Sequence, residues 1–299
     1  MNVVLSTRAP GRSLPCRSWL AVVAVVVVVA AVVVVVVGCE PAVCEGSCAS
    51  PDPQQHGAPM TPQLAADVST ARTARIYFLH HSVGANLISG VQQIDAEVGG
   101  GKLKMVPLPS SSSVRGPAVV HGPGGENTSP KSKIDSFAAA IAQQPVKPEL
   151  AFMKLCYVDI DPKTDVDDLF AHYRQTLRSL ARAHPSIRFA HVTVPLTTSP
   201  TSLKATLRRA LGLPVWEEAS NVKRHAFNAR LKEEFDGDPI FDLALAESTG
   251  PDGLVQGFVV DGRTYPSLDP RYTDDGGHLN AIGERVVGAA LLRFVAQAL

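Results

Sequence analysis

Residues 76–86 read Ile76-Tyr77-Phe78-Leu79-His80-His81-Ser82-Val83-Gly84-Ala85-Asn86. The first four residues are β-branched, aromatic or apolar, which is typical of a central strand in a parallel sheet. Gly84 and Ala85 are small enough for a tight turn and close packing against the sheet. The pattern predicts a buried strand that leads through a short turn into a helix, with Ser82 at the carboxyl end of the strand.

The predicted position of Ser82 is suitable for a catalytic nucleophile. Open α/β sheets bind ligands outside the carboxyl ends of their strands, and a helix amino terminus offers unpaired N–H groups. A serine nucleophile needs such a place, because its attack on a carbonyl creates an oxyanion that must be stabilised. The alternative interpretation is an ordinary serine that caps the helix.

The amino-terminal residues 1–38 predict export. They contain three arginines and no acidic residue, and an unbroken apolar run extends from Leu20 to Val37. A basic segment followed by an apolar segment is typical of a signal peptide. The run ends in Val36-Val37-Gly38-Cys39, which resembles the lipobox of bacterial lipoproteins. That resemblance implies cleavage before Cys39, lipidation of Cys39 and attachment to the cell envelope; the alternative is an uncleaved single-pass anchor.

Composition narrows the partners and the domain organisation. Without residues 1–38, the 28 basic and 28 acidic residues become 25 and 28, a net charge of −3. No basic block stands out, so nucleic acid is not an expected partner. Residues 39–73 are rich in Pro, Gly, Ser, Gln and Ala and predict a flexible tether. Residues 74–299 have a suitable length for one α/β domain.

Strand and helix patterns alternate through residues 74–299, which predicts a parallel sheet covered on both faces. Two long loops are expected, at 109–130 and 247–277. Strand patterns cover 76–79, 103–108, 150–158, 187–194 and 240–243. Helical patterns cover 87–98, 134–141, 166–180, 203–211 and 215–235, and a last helix starts near His278.

A second chemical motif precedes the last helix and reads Asp274-Asp275-Gly276-Gly277-His278-Leu279-Asn280. The spacing of Asp275 and His278 lets the carboxylate bind Nδ1 of the imidazole, which fixes its tautomer and stabilises the imidazolium. With Ser82, these residues form a predicted nucleophile, base and orienting group. The alternative is a helix-capping aspartate beside a surface histidine.

The order of a serine after the first strand and Asp-x-x-His before the last helix resembles the SGNH (GDSL-like) hydrolase superfamily. The resemblance covers roughly residues 75–299. It implies a three-layer α/β/α, flavodoxin-like fold and ester hydrolysis through a serine acyl-enzyme. It also implies that Ser82 is the nucleophile, His278 the base and Asp275 its partner, with an oxyanion N–H from Gly125.

Two blocks depart from that family. His80-His81-Ser82 stands where the family has Gly-Asp-Ser, and Cys156-Tyr157-Val158-Asp159 stands where it has Gly-x-Asn-Asp. Val158 therefore replaces the asparagine whose amide completes the oxyanion hole. We expect a replacement amide from Asn127 or Asn86.

The two adjacent histidines raise a metal site as an alternative. Successive side chains on a strand point to opposite faces, so His80 and His81 are poorly placed to share one ion. We therefore predict no metal and no cofactor, with His81 flanking Ser82 in the crevice and His80 packed.

The function expected from these residues is that of an exported, membrane-tethered serine esterase. Its expected substrates are esters, with O-acylated polysaccharides suggested by analogy with the family. Acyl transfer would use the same nucleophile. An alternative from another class is an envelope lipoprotein that keeps the fold for binding and has lost catalysis.

Overall fold

The computed structural model describes residues 58–108 and 115–299. The predicted signal peptide, Cys39 and the first part of the predicted tether lie outside these residues. Within the described ranges, no helix has the length and apolar character needed to cross a membrane.

Six parallel strands form the central sheet, in the order β2-β3-β1-β4-β5-β6. The chain adds β2 and β3 on one side of β1 and the later strands on the other. The carboxyl ends of β1 and β4 therefore border the crevice where open α/β sheets bind ligands. The strands are β1 (Arg75–Leu79), β2 (Met105–Pro107), β3 (Ala118–Gly122), β4 (Leu150–Met153), β5 (Arg188–Val192) and β6 (Ile240–Phe241).

Helices cover both faces of this sheet, which confirms the predicted three-layer α/β/α architecture. Successive side chains of β1 point to opposite faces of the sheet, so that Ile76 and Phe78 lie in one apolar core and Tyr77 and Leu79 in the other. The helices that contribute to the first core are α1 (Pro62–Ala71), α2 (Val83–Val98), α7 (Leu243–Ser248) and α8 (Ala281–Ala298). Those that contribute to the second core are α3 (Pro130–Gln143), α4 (Val166–Ala183) and α6 (Trp216–Glu234). The remaining helix, α5, spans Leu203–Ala210.

Two predicted irregular segments contain regular structure. The loop expected at 109–130 contains β3, which pairs with both β1 and β2. The tether expected at 39–73 contains α1, which buries Leu64, Val68 and Ala71 and packs against α8. Both elements are short and lie among glycine, proline and serine, so the local sequence gives no clear strand or helix pattern. Their structure depends on the elements that they pack against.

Several boundaries also differ from the prediction. The strand expected at 150–158 ends at Met153, and a 3₁₀ turn follows at Tyr157–Asp159. The loop expected at 247–277 contains an antiparallel hairpin, β7 (Gly257–Val260) and β8 (Arg263–Pro266). Asn280 caps α8, so the last helix begins at Ala281 instead of near His278.

A close approach of α2 and α8 aligns the helices that follow Ser82 and His278. Gly90 and Gly288 are each the eighth residue of their helix. A Cβ atom on Gly90 would lie 1.9 Å from the carbonyl oxygen of Glu284, and one on Gly288 would lie 2.9 Å from the backbone of Gly90. The Glu284 carboxylate accepts hydrogen bonds from Asn86 and Ser89 of α2, both at 2.7 Å. Backbone contact at this crossing therefore requires glycine.

We predict that Gly90→Ala destabilises the fold by about 1–3 kcal/mol, because overpacking forces the two helices apart. Urea unfolding measures the change. Gly237→Ala is the matched control, since nothing lies within 4 Å of a Cβ at that position. Equal unfolding midpoints for the two variants would show that the helices do not depend on this contact.

Candidate active site

Ser82 occupies the N-cap position of α2 but makes no side-chain capping bond to the helix. Its hydroxyl instead forms a short hydrogen bond with Nε2 of His278, 196 residues later in the chain. Ser82 has a φ of 51°, a region that non-glycine residues rarely adopt. The strained turn thus directs Oγ away from the helix and towards the imidazole, which argues against an ordinary capping serine.

Asp275 orients the imidazole of His278 from its other side. Nδ1 of His278 donates to Oδ2 of Asp275 at 2.6 Å. Oδ1 of the same carboxylate accepts the backbone N–H groups of Gly277 at 2.9 Å and His278 at 2.8 Å. A proton held at Nδ1 leaves Nε2 with the lone pair that accepts the Ser82 hydroxyl proton.

The same bonds keep Asp275 ionised. The hydrogen bond from the His278 ring and then those from the backbone hold the pKa of this carboxyl well below its ordinary value. The side chains of His278 and Asp275 are 43% and 55% exposed. The three predicted catalytic residues therefore form one connected relay, and it lies at an open surface.

Tyr157 forms a wall beside this relay. Its ring meets the imidazole of His278 edge-on at 5.5 Å, and its hydroxyl lies 3.4 Å from Nδ1 and 3.5 Å from Nε2. A Cβ on Gly277 would lie 2.8 Å from the Tyr157 ring, so only glycine lets the loop that carries Asp275 and His278, the predicted catalytic loop, pass so closely. Tyr157 restricts the rotation of the imidazole about its hydrogen bond to Asp275.

His81 connects the Ser82 turn to the glycine loop that follows β3. Nε2 of His81 lies 3.1 Å from the carbonyl oxygen of Gly124 and 3.2 Å from its nitrogen. Gly125 has a φ of 68°, and a Cβ there would lie 2.5 Å from the backbone nitrogen of Lys133. The loop with the predicted oxyanion glycine is therefore held beside Ser82, in a conformation that requires glycine.

A buried ion pair fixes the other end of this loop. Nζ of Lys133 lies 2.7 Å from Oδ2 of Asp159, and both side chains are almost fully buried. Asp159 also accepts the backbone N–H groups of Thr128 at 2.9 Å and Cys156 at 2.6 Å. A buried pair with all these bonds is costly to break, because removing one partner leaves an uncompensated charge. It ties the loop after β3 to the turn after β4.

The two asparagines predicted as oxyanion donors have different surroundings. Oδ1 of Asn127 accepts from Nζ of Lys133 at 2.8 Å, which orients the side chain and leaves its amide N–H groups free to donate. The amide of Asn86 donates to Glu284 within the α2–α8 contact. Val158, at the position of the missing asparagine, has an exposed side chain.

His80 lies in a different environment from His81. It is buried, its ring stacks on His121, and its Nε2 lies 3.1 Å from Nδ1 of that residue. Burial, and to a smaller extent the nearby His121, Lys154 and His81, together lower the pKa of His80 to about 3, so this imidazole stays neutral. No group of three or more His, Cys, Asp or Glu side chains within 58–108 and 115–299 is arranged to hold a metal ion.

Neither the role of Lys133 nor the contact between Tyr157 and His278 was predicted from the sequence. Lys133 had a detectable signal, because it continues the stripe formed by Ile134, Phe137 and Ile141 on α3, where a lone charge implies a buried partner. Tyr157 had none, since its contact with His278 spans 121 residues.

Comparison with solved structures gives similarities at low identity. The chain resembles a lipase/acylhydrolase from Enterococcus faecalis (16% identity, 75% of this chain and 96% of that one, TM-score 0.44). It also resembles a catalytic mutant of an acetylxylan esterase from Geobacillus stearothermophilus (14%, 74% and 94%, TM-score 0.41). A third is the periplasmic domain of a lipopolysaccharide acetyltransferase from Salmonella ser. Paratyphi A (11%, 76% and 86%, TM-score 0.39). No protein-family profile and no curated protein matches the sequence.

We predict that Asp275→Asn leaves the fold intact but lowers turnover of an ester substrate by up to ~10⁴, because the amide no longer holds the required tautomer. Steady-state kinetics, with circular dichroism as the check on folding, measures the effect. Asp274→Asn is the matched control. Near wild-type turnover in Asp275→Asn would exclude this carboxylate from the relay.

Proposed function

We propose that this protein is a serine esterase that hydrolyses its substrates through an acyl-enzyme. The observation that carries this proposal is the Ser82 hydroxyl, which makes no cap bond to its own helix and bonds to Nε2 of His278. An imidazole oriented by a carboxylate can accept the serine proton and later return it to a leaving group.

In the first step, Oγ of Ser82 attacks the ester carbonyl carbon, and its proton moves to Nε2 of His278. The resulting tetrahedral oxyanion collapses and expels the alcohol, which takes that proton. Water then attacks the acyl carbon and gives a proton to Nε2 of His278. The second tetrahedral intermediate collapses, the acid leaves, and the proton returns to Oγ of Ser82. Asp275 stays ionised throughout and stabilises the imidazolium that forms in each half-reaction.

The oxyanion needs donors at the carbonyl oxygen. The backbone N–H groups of Ser82 and Gly125 donate to no other group in the described part of the chain. Both belong to segments held next to each other by the His81–Gly124 contact. We assign the third donor to the amide of Asn127, whose oxygen is fixed by Lys133.

For the substrate we propose O-acetylated carbohydrate, and for the location the outer face of a bacterial membrane, through a lipid on Cys39. The open position of His278 and Asp275 supports a polymeric substrate, since a long chain needs a cleft that it can cross without threading. The basic and apolar amino-terminal segment that ends at Gly38-Cys39 supports the anchor.

Hydrolysis of p-nitrophenyl acetate and release of acetate from an acetylated polysaccharide test this function. We expect turnover of both by the wild-type protein and a loss of about 10⁶-fold in turnover in Ser82→Ala. Ser69→Ala is the control, because that exposed hydroxyl bonds only within α1. A folded wild-type protein without turnover, or an active Ser82→Ala variant, would refute the proposal.

Asn127→Ala tests the third oxyanion donor. We expect kcat to fall by about 10²–10³ with KM little changed, because the bond forms fully only in the transition state. Thermal unfolding is measured in parallel, since Lys133 also loses an acceptor. A variant that is less stable but keeps its rate per folded molecule would show that Asn127 supports only the loop.

A further inference from the structure

Helix α5 presents an unusual stripe of exposed leucines. Leu203 is 89% exposed, Leu207 60% and Leu211 63%. Their spacing of four residues places them on one side of the helix. Leu213 and Trp216 continue the exposed apolar surface, so five of the twelve large exposed apolar side chains of the described chain lie within fourteen residues. Apolar clusters of this kind mark contact surfaces.

The charged residues of the segment that carries this stripe are basic. Residues 199–216 contain Lys204, Arg208 and Arg209 and no acidic residue. Arg209 is held internally by Glu218 and the carbonyl of Pro200, so its charge is largely compensated. A cavity of about 600 Å³ opens beside Trp216, and its charged lining consists of Lys163, Lys204, Arg208 and Glu217. Three cations against one carboxylate give this surface a net positive charge.

We infer that α5, with Leu211, Leu213 and Trp216, is a docking surface for an anionic lipid bilayer. Helices that lie in the membrane interface present an apolar side bordered by lysine and arginine. The leucines of α5 have this pattern, and Trp216, the first residue of α6, lines the same cavity as Lys204 and Arg208. The apolar stripe enters the boundary of the acyl chains, and the basic cavity receives acidic head groups. A protein partner with an apolar groove would not need the adjacent cations.

The surface is connected to the candidate active site. The segment between β5 and α5 carries Thr198, whose N–H donates to the carbonyl of Gly276 at 2.9 Å within the catalytic loop. The cavity is also lined by Pro162 and Lys163, which follow the turn that carries Tyr157. Docking through α5 therefore holds Ser82, His278 and Asp275 near the bilayer surface.

Fluorescence of Trp216 tests the inference on the chain that begins at Cys39, because the apolar run from Leu20 to Val37 would itself enter vesicles. Trp19 precedes Cys39, so Trp216 is the only tryptophan of this chain. We expect a blue shift, and quenching by brominated lipid, with phosphatidylglycerol vesicles, and a weaker response with phosphatidylcholine. The triple variant Leu203→Ser, Leu207→Ser and Leu211→Ser should need a lipid concentration about tenfold higher, or more, for the same change in Trp216 fluorescence.

Two controls separate this surface from other effects. Val259→Ser removes an exposed apolar residue of the β7–β8 hairpin and should leave the response unchanged. Turnover of soluble p-nitrophenyl acetate should be the same in the triple variant and the wild type, so failure of the esterase proposal is seen independently. The inference is overturned if Trp216 does not respond to anionic vesicles or if the triple variant responds like wild type. It is also overturned if sedimentation shows a dimer that the triple variant abolishes, since α5 would then contact a second copy.

Discussion

The close contact between α2 and α8 is the constraint on which the candidate site depends. Ser82 immediately precedes α2 and His278 lies three residues before α8, so their side chains meet only if the two helices begin side by side. Gly90 and Gly288 allow this alignment because backbone lies where any side chain would stand. The bonds from Asn86 and Ser89 to Glu284 fix the register. The packing of these two helices therefore brings Ser82 and His278, which are 196 residues apart in the sequence, within hydrogen-bond distance.

A buried ion pair positions the segments on the other side of the crevice. The buried pair of Lys133 and Asp159 joins the loop after β3 to the turn after β4. The sheet brings these two segments to the two sides of β1, and the ion pair then fixes them in three dimensions. His81 connects the loop to the Ser82 turn. The Ser82 turn, the glycine loop and the wall formed by Tyr157 are therefore positioned by contacts that do not involve the side chains of Ser82, His278 and Asp275.

Much of this arrangement was predictable from residue patterns. The buried run Ile76–Leu79, the amphipathic helices and the Asp-x-x-His turn identified the sheet and the three members of the relay. The strand β3 and the helix α1 were not predictable. Both are short apolar segments among glycines and prolines, and β3 is stabilised by pairing with β1 and β2, and α1 by packing against α8. The contact between Tyr157 and His278 and the Lys133–Asp159 pair depend on tertiary proximity, which periodicity does not encode. The alignment of Gly90 with Gly288 is likewise visible only once the helices are packed.

Covalent labelling of the nucleophile tests the central claim most directly. A fluorophosphonate reacts with a serine whose proton is removed by a neighbouring base, and peptide mass spectrometry locates the adduct. We predict one adduct, on the peptide that contains Ser82, and a rate of labelling that falls by orders of magnitude in His278→Ala. An adduct on another serine, or equally fast labelling of Ser82 in His278→Ala, would contradict it.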